Sequence, residues 1–311
     1  MLLTGGTGFI GSHTARDFVM SGHKVTIFDS NPEIFLVKDI LKECKIVQGD
    51  IRNLNEIILA CEENEIDAIV HMAYMFTRPS QSDPLLATNV NILGTMNVFE
   101  TARLLKLRRV AWASSNSVFG PASFHPASRP LNETDPIRPT TVYGACKAYN
   151  EVVAETYVSE FGLSLVGLRI CAVPFGLGMS KRKDSAVSFL FDLFENGVRG
   201  RPCLVPAADI VMQWQYVKDL AKLFRIACTQ PTLRHSLYNV GGQSATLREI
   251  GSLIHKISGA QVTYSKVVPE FSDEVFNIDY SLVKNEFGYS ADYSLESGLS
   301  DYRTMISRWE K

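Results

Sequence analysis

Short apolar runs ending in glycine, aspartate or serine alternate with amphipathic stretches along the first half of this 311-residue chain. Leu2-Leu3-Thr4 reads as a first strand, unusually short, running into a glycine turn and a helix from about Phe9 to Ser21. His23–Asp29, Lys45–Ile51, Asp67–Ala73 and Arg109–Ser115 follow as the second to fifth strands, and Ser164–Ile170 as the sixth. A long helical pattern from about Asp83 to Leu105 separates the fourth strand from the fifth. Strand and helix in alternation predict right-handed crossovers and an α/β fold with a Rossmann-type doubly wound parallel sheet. Ligands of such a sheet bind beyond the carboxyl ends of its strands.

After residue 170 the pattern loosens. A glycine-rich stretch precedes a helix from about Ser185 to Asn196, and a helix from about Val217 to Cys228 returns to the sheet. Ser236–Val240, a helix over Thr246–Ser258 and Gln261–Tyr264 complete a small α/β lobe. The expected division is a nucleotide-binding domain over 1–170 plus about 207–230. The smaller, discontinuous substrate lobe takes about 171–206 and 231–311. Residues 120–139 are proline-rich and aperiodic, a lid or a surface excursion.

The chemistry gathers at the strand ends. Gly5, Gly8 and Gly11 permit a tight turn, close approach of a pyrophosphate, and packing of the helix on the sheet. Phe9 and Ile10 open that helix, whose N-terminal N–H groups aim at the phosphates. Asp29 ends the second strand about 20 residues on, placed for the adenosine ribose hydroxyls. It would repel a 2′-phosphate, and Ser30 and Asn31 bring no cation, so NAD is favoured over NADP. Asp50 and Ile51 flank the adenine position, and Ala73 lies on the same edge.

Tyr143 and Lys147, four apart, share one helix face. In that geometry the ammonium lowers the phenol below its usual pKa of about 10, making a general base towards a substrate alcohol. Ser115, at the end of the fifth strand, can hold the same alcohol oxygen. His71 reads as a packed structural residue. Arg78 either pairs with a substrate carboxylate or phosphate or is plain surface.

Composition narrows the classes. The apolar content of 46 % and charged content of 21 % are those of a globular protein, and the net charge of −2 offers no basic field for nucleic acid or a membrane surface. No apolar run approaches the roughly 20 residues of a membrane span. Six scattered cysteines without metal-ligand spacing indicate reduced thiols, no metal site and a cytoplasmic location.

Taken in order, Thr4–Gly11, Asp29, Gly49-Asp50-Ile51, His71-Met72-Ala73, Asn89 ahead of Gly94-Thr95, Ser114–Gly120 and Tyr143-x-x-x-Lys147 carry a resemblance. The chain resembles an extended short-chain dehydrogenase/reductase of the NAD-dependent epimerase/dehydratase kind. The likeness is close over the first 170 residues. It continues more loosely through Leu168-Arg169, Tyr216–Asp219 and Tyr238–Gly242. The resemblance implies Tyr143 as catalytic acid/base and Lys147 as nicotinamide-ribose ligand. It implies Ser115 as partner of the reacting oxygen, with Ser117 as a second contact to substrate, and Asn89 as a support of the sheet. It also implies a homodimer built on the helices at about 83–105 and 141–161.

Departures from the family bear on substrate. Asn116-Ser117 stand where the similar 4,6-dehydratases have an Asp-Glu pair, so water elimination lacks its catalyst. Ala172 and Met212 replace an asparagine and an arginine that grip the diphosphate in nucleotide-sugar epimerases. Lys181, Arg182 and Lys183 are a possible replacement or a solvated basic run. The expectation is an NAD-dependent oxidoreductase acting on a secondary alcohol of a sugar, sugar acid or small polyhydroxy compound. The alternatives are a nucleotide-sugar 4-epimerase, a threonine dehydrogenase-like enzyme, and a non-catalytic NAD-sensing protein.

Overall fold

The computed structural model describes residues 1–126, 128–182, 189–206, 208–265 and 277–310, without the side chains of residues 181, 182, 189, 192 and 206. The first half comprises β1 (Leu2–Thr4), α1 (Phe9–Met20), β2 (Val25–Asp29), β3 (Cys44–Gln48), α2 (Leu54–Glu63) and β4 (Ala68–His71). It continues with α3 (Thr77–Ser82), α4 (Pro84–Ala87), α5 (Gly94–Leu104), β5 (Arg109–Ser115), α6 (Val142–Phe161) and β6 (Leu165–Ile170). Beyond these come β7 (Val173–Phe175), α7 (Phe189–Val198), β8 (Cys203–Pro206), β9 (Val211–Tyr216) and α8 (Val217–Thr229). The chain ends with β10 (Leu237–Val240), β11 (Gln243–Thr246), α9 (Leu247–Ser258), β12 (Val262–Ser265), α10 (Ser281–Phe287) and α11 (Leu295–Trp309).

Seven strands form one parallel sheet in the order β10-β6-β5-β4-β1-β2-β3. Side chains alternate between its faces with period two. Leu3, Val70, Ala111 and Val166 pack on the face covered by α1 and α8. Leu2, Ile69, Val110, Trp112 and Leu165 pack on the other, against Ile57 of α2, Phe99 of α5 and Tyr157 of α6. Burial on both faces explains why these strands read as continuous apolar runs. The strand order reverses between β1 and β4, which opens a crevice at their carboxyl ends. Even the three-residue β1 is flanked by β2 and β4, so its shortness costs it no partner.

The division into two parts differs from the expected one at two places. Leu237–Val240, assigned to the lobe, pairs parallel with β6 as the outermost strand of the large sheet. Val211–Tyr216, assigned to the nucleotide domain, is instead the centre of a three-stranded lobe sheet, β11-β9-β7. Its apolar face carries Met212, Trp214 and Tyr216, and the Phe175, Phe194 and Trp214 rings cluster there. A second pair, β8 and β12, runs parallel beside it. The expected helix from Ser185 begins at Phe189 in the described residues; 185–188 lie outside them.

Residues 120–139 are stitched to the lobe. Leu131 is buried and forms a bridge with Ile278, while Arg129 and Asp135 make an ion pair across the segment. Asn132 N–H donates to Asp135, and Arg138 N–H to the Val118 carbonyl.

The helix expected over 83–105 is present but interrupted. Asp83 caps α4, and a π-helical turn over Thr88–Leu93 joins it to α5. No helix in the described residues is long and apolar enough to cross a membrane.

Candidate active site and cofactor cleft

A cleft of about 1010 Å³ lies at the carboxyl edge of the large sheet. Gly5, Gly8, Phe9, Ile10, Gly11, Asp29, Asp50, Ile51 and Ala73 all line it. Gly5 is left-handed (φ 68°), and a Cβ there would lie 2.8 Å from the Ala73 nitrogen. A Cβ at Gly11 would come 2.2 Å from the Gly5 carbonyl oxygen, so only glycine lets α1 start this close to β1. At Gly8 the Gly5 oxygen, 3.1 Å away, is the one near atom, and the other side is open to the cleft. Gly8 caps α1 without a side-chain acceptor, which leaves the first-turn N–H groups available to an anion.

The Asp29 carboxylate accepts from the Thr7 hydroxyl at 2.6 Å, from Thr7 N–H at 3.2 Å and from Asn31 N–H at 3.2 Å. These bonds hold it at the cleft wall as a fixed acceptor. Arg52, unnoticed in the sequence, is a cation that lines the same cleft. Asp50 engages it through two bonds of 2.8 and 2.5 Å, and that pairing holds the Asp50 carboxyl below its usual range. The glycine cradle, the open helix end and the ribose-side carboxylate together fit a dinucleotide.

Tyr143, Lys147 and Ser115, the residues expected to handle the proton, lie at the start of α6 and the end of β5. Thr141 caps α6 by accepting from Gly144 N–H at 3.0 Å, which places Tyr143 in the first turn. A Cβ at Gly144 would lie 2.5 Å from the Ser117 carbonyl oxygen. The glycine between Tyr143 and Lys147 thus lets α6 close onto the turn that follows β5. Ser115 caps that turn: its Oγ accepts from Ser117 N–H at 3.2 Å and donates to the Ser117 hydroxyl at 3.1 Å or Asn116 Oδ1 at 3.3 Å. Tyr143 and Ser115 are both buried.

Lys147 is 2 % exposed and donates to the Ala113 carbonyl at 2.6 Å. Burial pulls its pKa down to about 7, against smaller upward pulls from Cys146 and Glu151. Its Nζ lies 4.2 Å from the ring centroid of Tyr74 and 5.7 Å from that of Tyr143. His71 is buried between Thr4 Oγ1 at 2.7 Å and Thr95 Oγ1 at 3.1 Å. Burial, and then the nearby Lys147 charge, push its pKa to about 3, so it is a neutral structural group.

A buried network behind the site had no counterpart in the sequence reading. Ser114 Oγ donates to Glu151 Oε1 at 2.6 Å, and Arg169 reaches both Glu151 oxygens at 2.9 and 2.8 Å. It ties β5, β6 and α6 together one turn beyond Lys147. The signal was present in Glu151, four residues after Lys147, and in a strand arginine at 169. The asparagine role needs correction as well. Asn89 is only half-buried, whereas Asn91 is buried and clamps the loop after β4. It accepts from Met75 N–H at 2.7 Å and donates to the Met75 carbonyl at 3.1 Å. The π-helical turn frees the Asn91 carbonyl, which accepts from Asn150 of α6 at 2.8 Å.

On the substrate side, Arg78 is exposed on α3 and does not line the cleft. Met212 is fully buried in the lobe core, and Ala172 is 4 % exposed against Gly242. Lys183, and the side chains of Lys181 and Arg182, lie outside the described residues.

Two outcomes follow from the buried charges. Glu151→Ala strands the Arg169 guanidinium and is expected to cost about 3–5 kcal/mol in urea unfolding; a loss below about 1 kcal/mol would refute the network's role. For Lys147, the folded chain releases its proton near pH 7, whereas an unfolded lysine holds it to about 10.4. Between those values the unfolded state binds more protons, so this group makes stability rise with pH. Cofactor-free Lys147→Met is therefore expected to melt above wild type at pH 6, with the gap shrinking towards pH 10. A gap that ignores pH in thermal unfolding would contradict the burial argument.

Residues 1–241 match the family model described as the NAD dependent epimerase/dehydratase family. A UDP-glucose 4-epimerase of Bacillus subtilis is 26 % identical over 97 % of this chain and 95 % of its own length. The fold is shared with the crystal structure of the Thermus thermophilus UDP-glucose 4-epimerase in complex with NAD (TM-score 0.84, 24 % identity, 98 % of each chain). It is shared equally with L-threonine dehydrogenase from Clostridium difficile (TM-score 0.84, 21 % identity, 99 % of this chain and 97 % of that one). The cradle built for a dinucleotide and the match across three-quarters of the sequence agree: the chain is an enzyme of the NAD-dependent epimerase/dehydratase family.

Proposed function

We propose that the enzyme transfers hydride between NAD and the secondary-alcohol carbon of a sugar, sugar acid or similar small polyhydroxy compound. The observation that carries this reading is that Tyr143 and Lys147, in the first turns of α6, pack against the cleft-lining Tyr74 and Ala113, while Gly144 brings α6 onto the turn capped by Ser115. NAD bound there supplies or accepts the hydride. Ser115 holds the substrate oxygen and Tyr143 takes or returns its proton, while the Lys147 ammonium stabilises the phenolate. Gly5, Gly8, Phe9, Ile10 and Gly11 cradle the pyrophosphate; Asp29 takes the adenosine ribose, with Asp50, Ile51 and Ala73 beside the nucleotide. Ser117 supports Ser115 and makes a second contact to substrate; Arg78 would need to turn inward to meet a carboxylate.

Burial of Met212 in the lobe core favours a small substrate, because an apolar side chain there offers no grip for a diphosphate. The relatives' names favour the second reading, a nucleotide-sugar 4-epimerase that reduces and reoxidises its cofactor within one turnover. A threonine dehydrogenase-like activity is the third, supported by the shared fold. Tyr143→Phe is expected to lower kcat about 10²–10⁴-fold, and undiminished turnover would sink all three. Denaturing protein purified without added cofactor then separates them. NAD(H) near one per chain supports the epimerase, and little or none supports a dehydrogenase using exchangeable NAD.

The proposal extends to a homodimer. Leu85, Leu93, Leu104, Tyr149 and Val152 are exposed apolar side chains along 84–104 and α6, of the kind that a second copy would cover. Light scattering is expected to give twice the chain mass, and half that mass for Val152→Glu; a wild-type monomer would reject this assembly.

A further inference from the structure

Tyr74 belongs to none of the roles assigned so far, yet it sits where the loop after β4 crosses the cleft, and it lines that cleft. Its ring centroid is 6.0 Å from that of Tyr143 and 5.0 Å, edge to face, from that of Phe76. The buried ammonium of Lys147 lies over this ring at 4.2 Å, well inside the distance at which an aromatic face attracts a cation. An ammonium has three donors, and the Ala113 carbonyl takes one of them.

We propose that Tyr74 is a positioning residue for proton transfer, its ring face holding the Lys147 ammonium charged and aimed beside Tyr143. The loop that carries Tyr74 is itself clamped by Asn91 through Met75, so the ring has a fixed platform. Other groups act on the same ammonium. Tyr143, Cys146 and Glu151 do so from α6, and the Ala113 carbonyl from β5. His71 of β4 is neutral, and Arg169 of β6 is neutralised by Glu151. Burial outweighs the upward pulls of Cys146 and Glu151 and brings Lys147 down to about 7. The ring counters this without bringing in a carboxylate, which would pair with the ammonium and compete with the phenolate for it.

The inference rests on Tyr143 acting as acid/base, and the titration that tests it needs no substrate. Ultraviolet difference titration of wild type against Tyr143→Phe, both saturated with NAD, reads the Tyr143 phenolate midpoint. Tyr74→Leu, titrated against Tyr74→Leu/Tyr143→Phe, is expected to raise that midpoint by about half a pH unit or more. Tyr74→Phe keeps the ring and is expected to stay with wild type. An unmoved midpoint in Tyr74→Leu overturns the inference, as does a Tyr74→Phe midpoint that shifts as far as that of Tyr74→Leu. If circular dichroism shows Tyr74→Leu unfolded, Tyr74→Met takes its place under the same standard. An unmoved midpoint with Tyr143→Phe inactive removes the role of Tyr74 alone. Full turnover by Tyr143→Phe removes the catalytic reading itself, whatever the midpoint does.

Discussion

An amine kept out of water is the constraint on which the proposed active site depends. The Lys147 ammonium is enclosed, with the Ala113 carbonyl as its hydrogen-bond acceptor and the Tyr74 ring over it. An isolated buried charge is costly, and the chain answers by placing a strand-end carbonyl and an aromatic face against it rather than a carboxylate. The carboxylate that acts on it from α6, Glu151, is already committed to Arg169 and Ser114. A cation whose nearby carboxylate is engaged elsewhere remains able to act on Tyr143, one helical turn away, as the proposed proton transfer requires.

That arrangement requires three elements to meet closely, and small residues make the meeting possible. Gly144 lets α6 approach the turn after β5, as Gly11 lets α1 approach β1. The Glu151–Arg169 pair then locks α6 to β5 and β6, and the π-helical turn lends a backbone carbonyl to Asn150 of the same helix. A buried pair of this kind contributes little net stability but makes any departure from its register expensive. The result is a tightly packed frame around Ser115, Tyr143 and Lys147. Leu131, between β5 and α6, bridges to Ile278, and β9 leads directly into α8.

Much of the large sheet was legible because its strands are buried on both faces and its turns need glycine. The boundaries of β5, the glycine cradle and the acid at Asp29 all follow from local pattern. Legibility failed where partners are distant in sequence. Leu237–Val240 is a short apolar run with nothing local to reveal that β6, some seventy residues earlier, is its neighbour. Val211–Tyr216 reads as a run leading into α8, although its hydrogen bonds go to β7 and β11. Asn89 and Asn91 differ only in which side of a π-helical turn they occupy, a choice made by packing rather than by spacing.

By itself, the sequence determined that a parallel sheet would carry a dinucleotide cradle, and that Tyr143 and Lys147 would share a helix face. Those features depend on residue type and on periods of two and 3.6, which operate over a few residues. Only the tertiary structure decided the surroundings of that pair: Tyr74 over the ammonium, Glu151 held by Arg169, and Met212 turned into the lobe core. Each joins residues from separate elements, and the energy of a buried charge or polar group depends on what surrounds it in space, which local pattern does not encode.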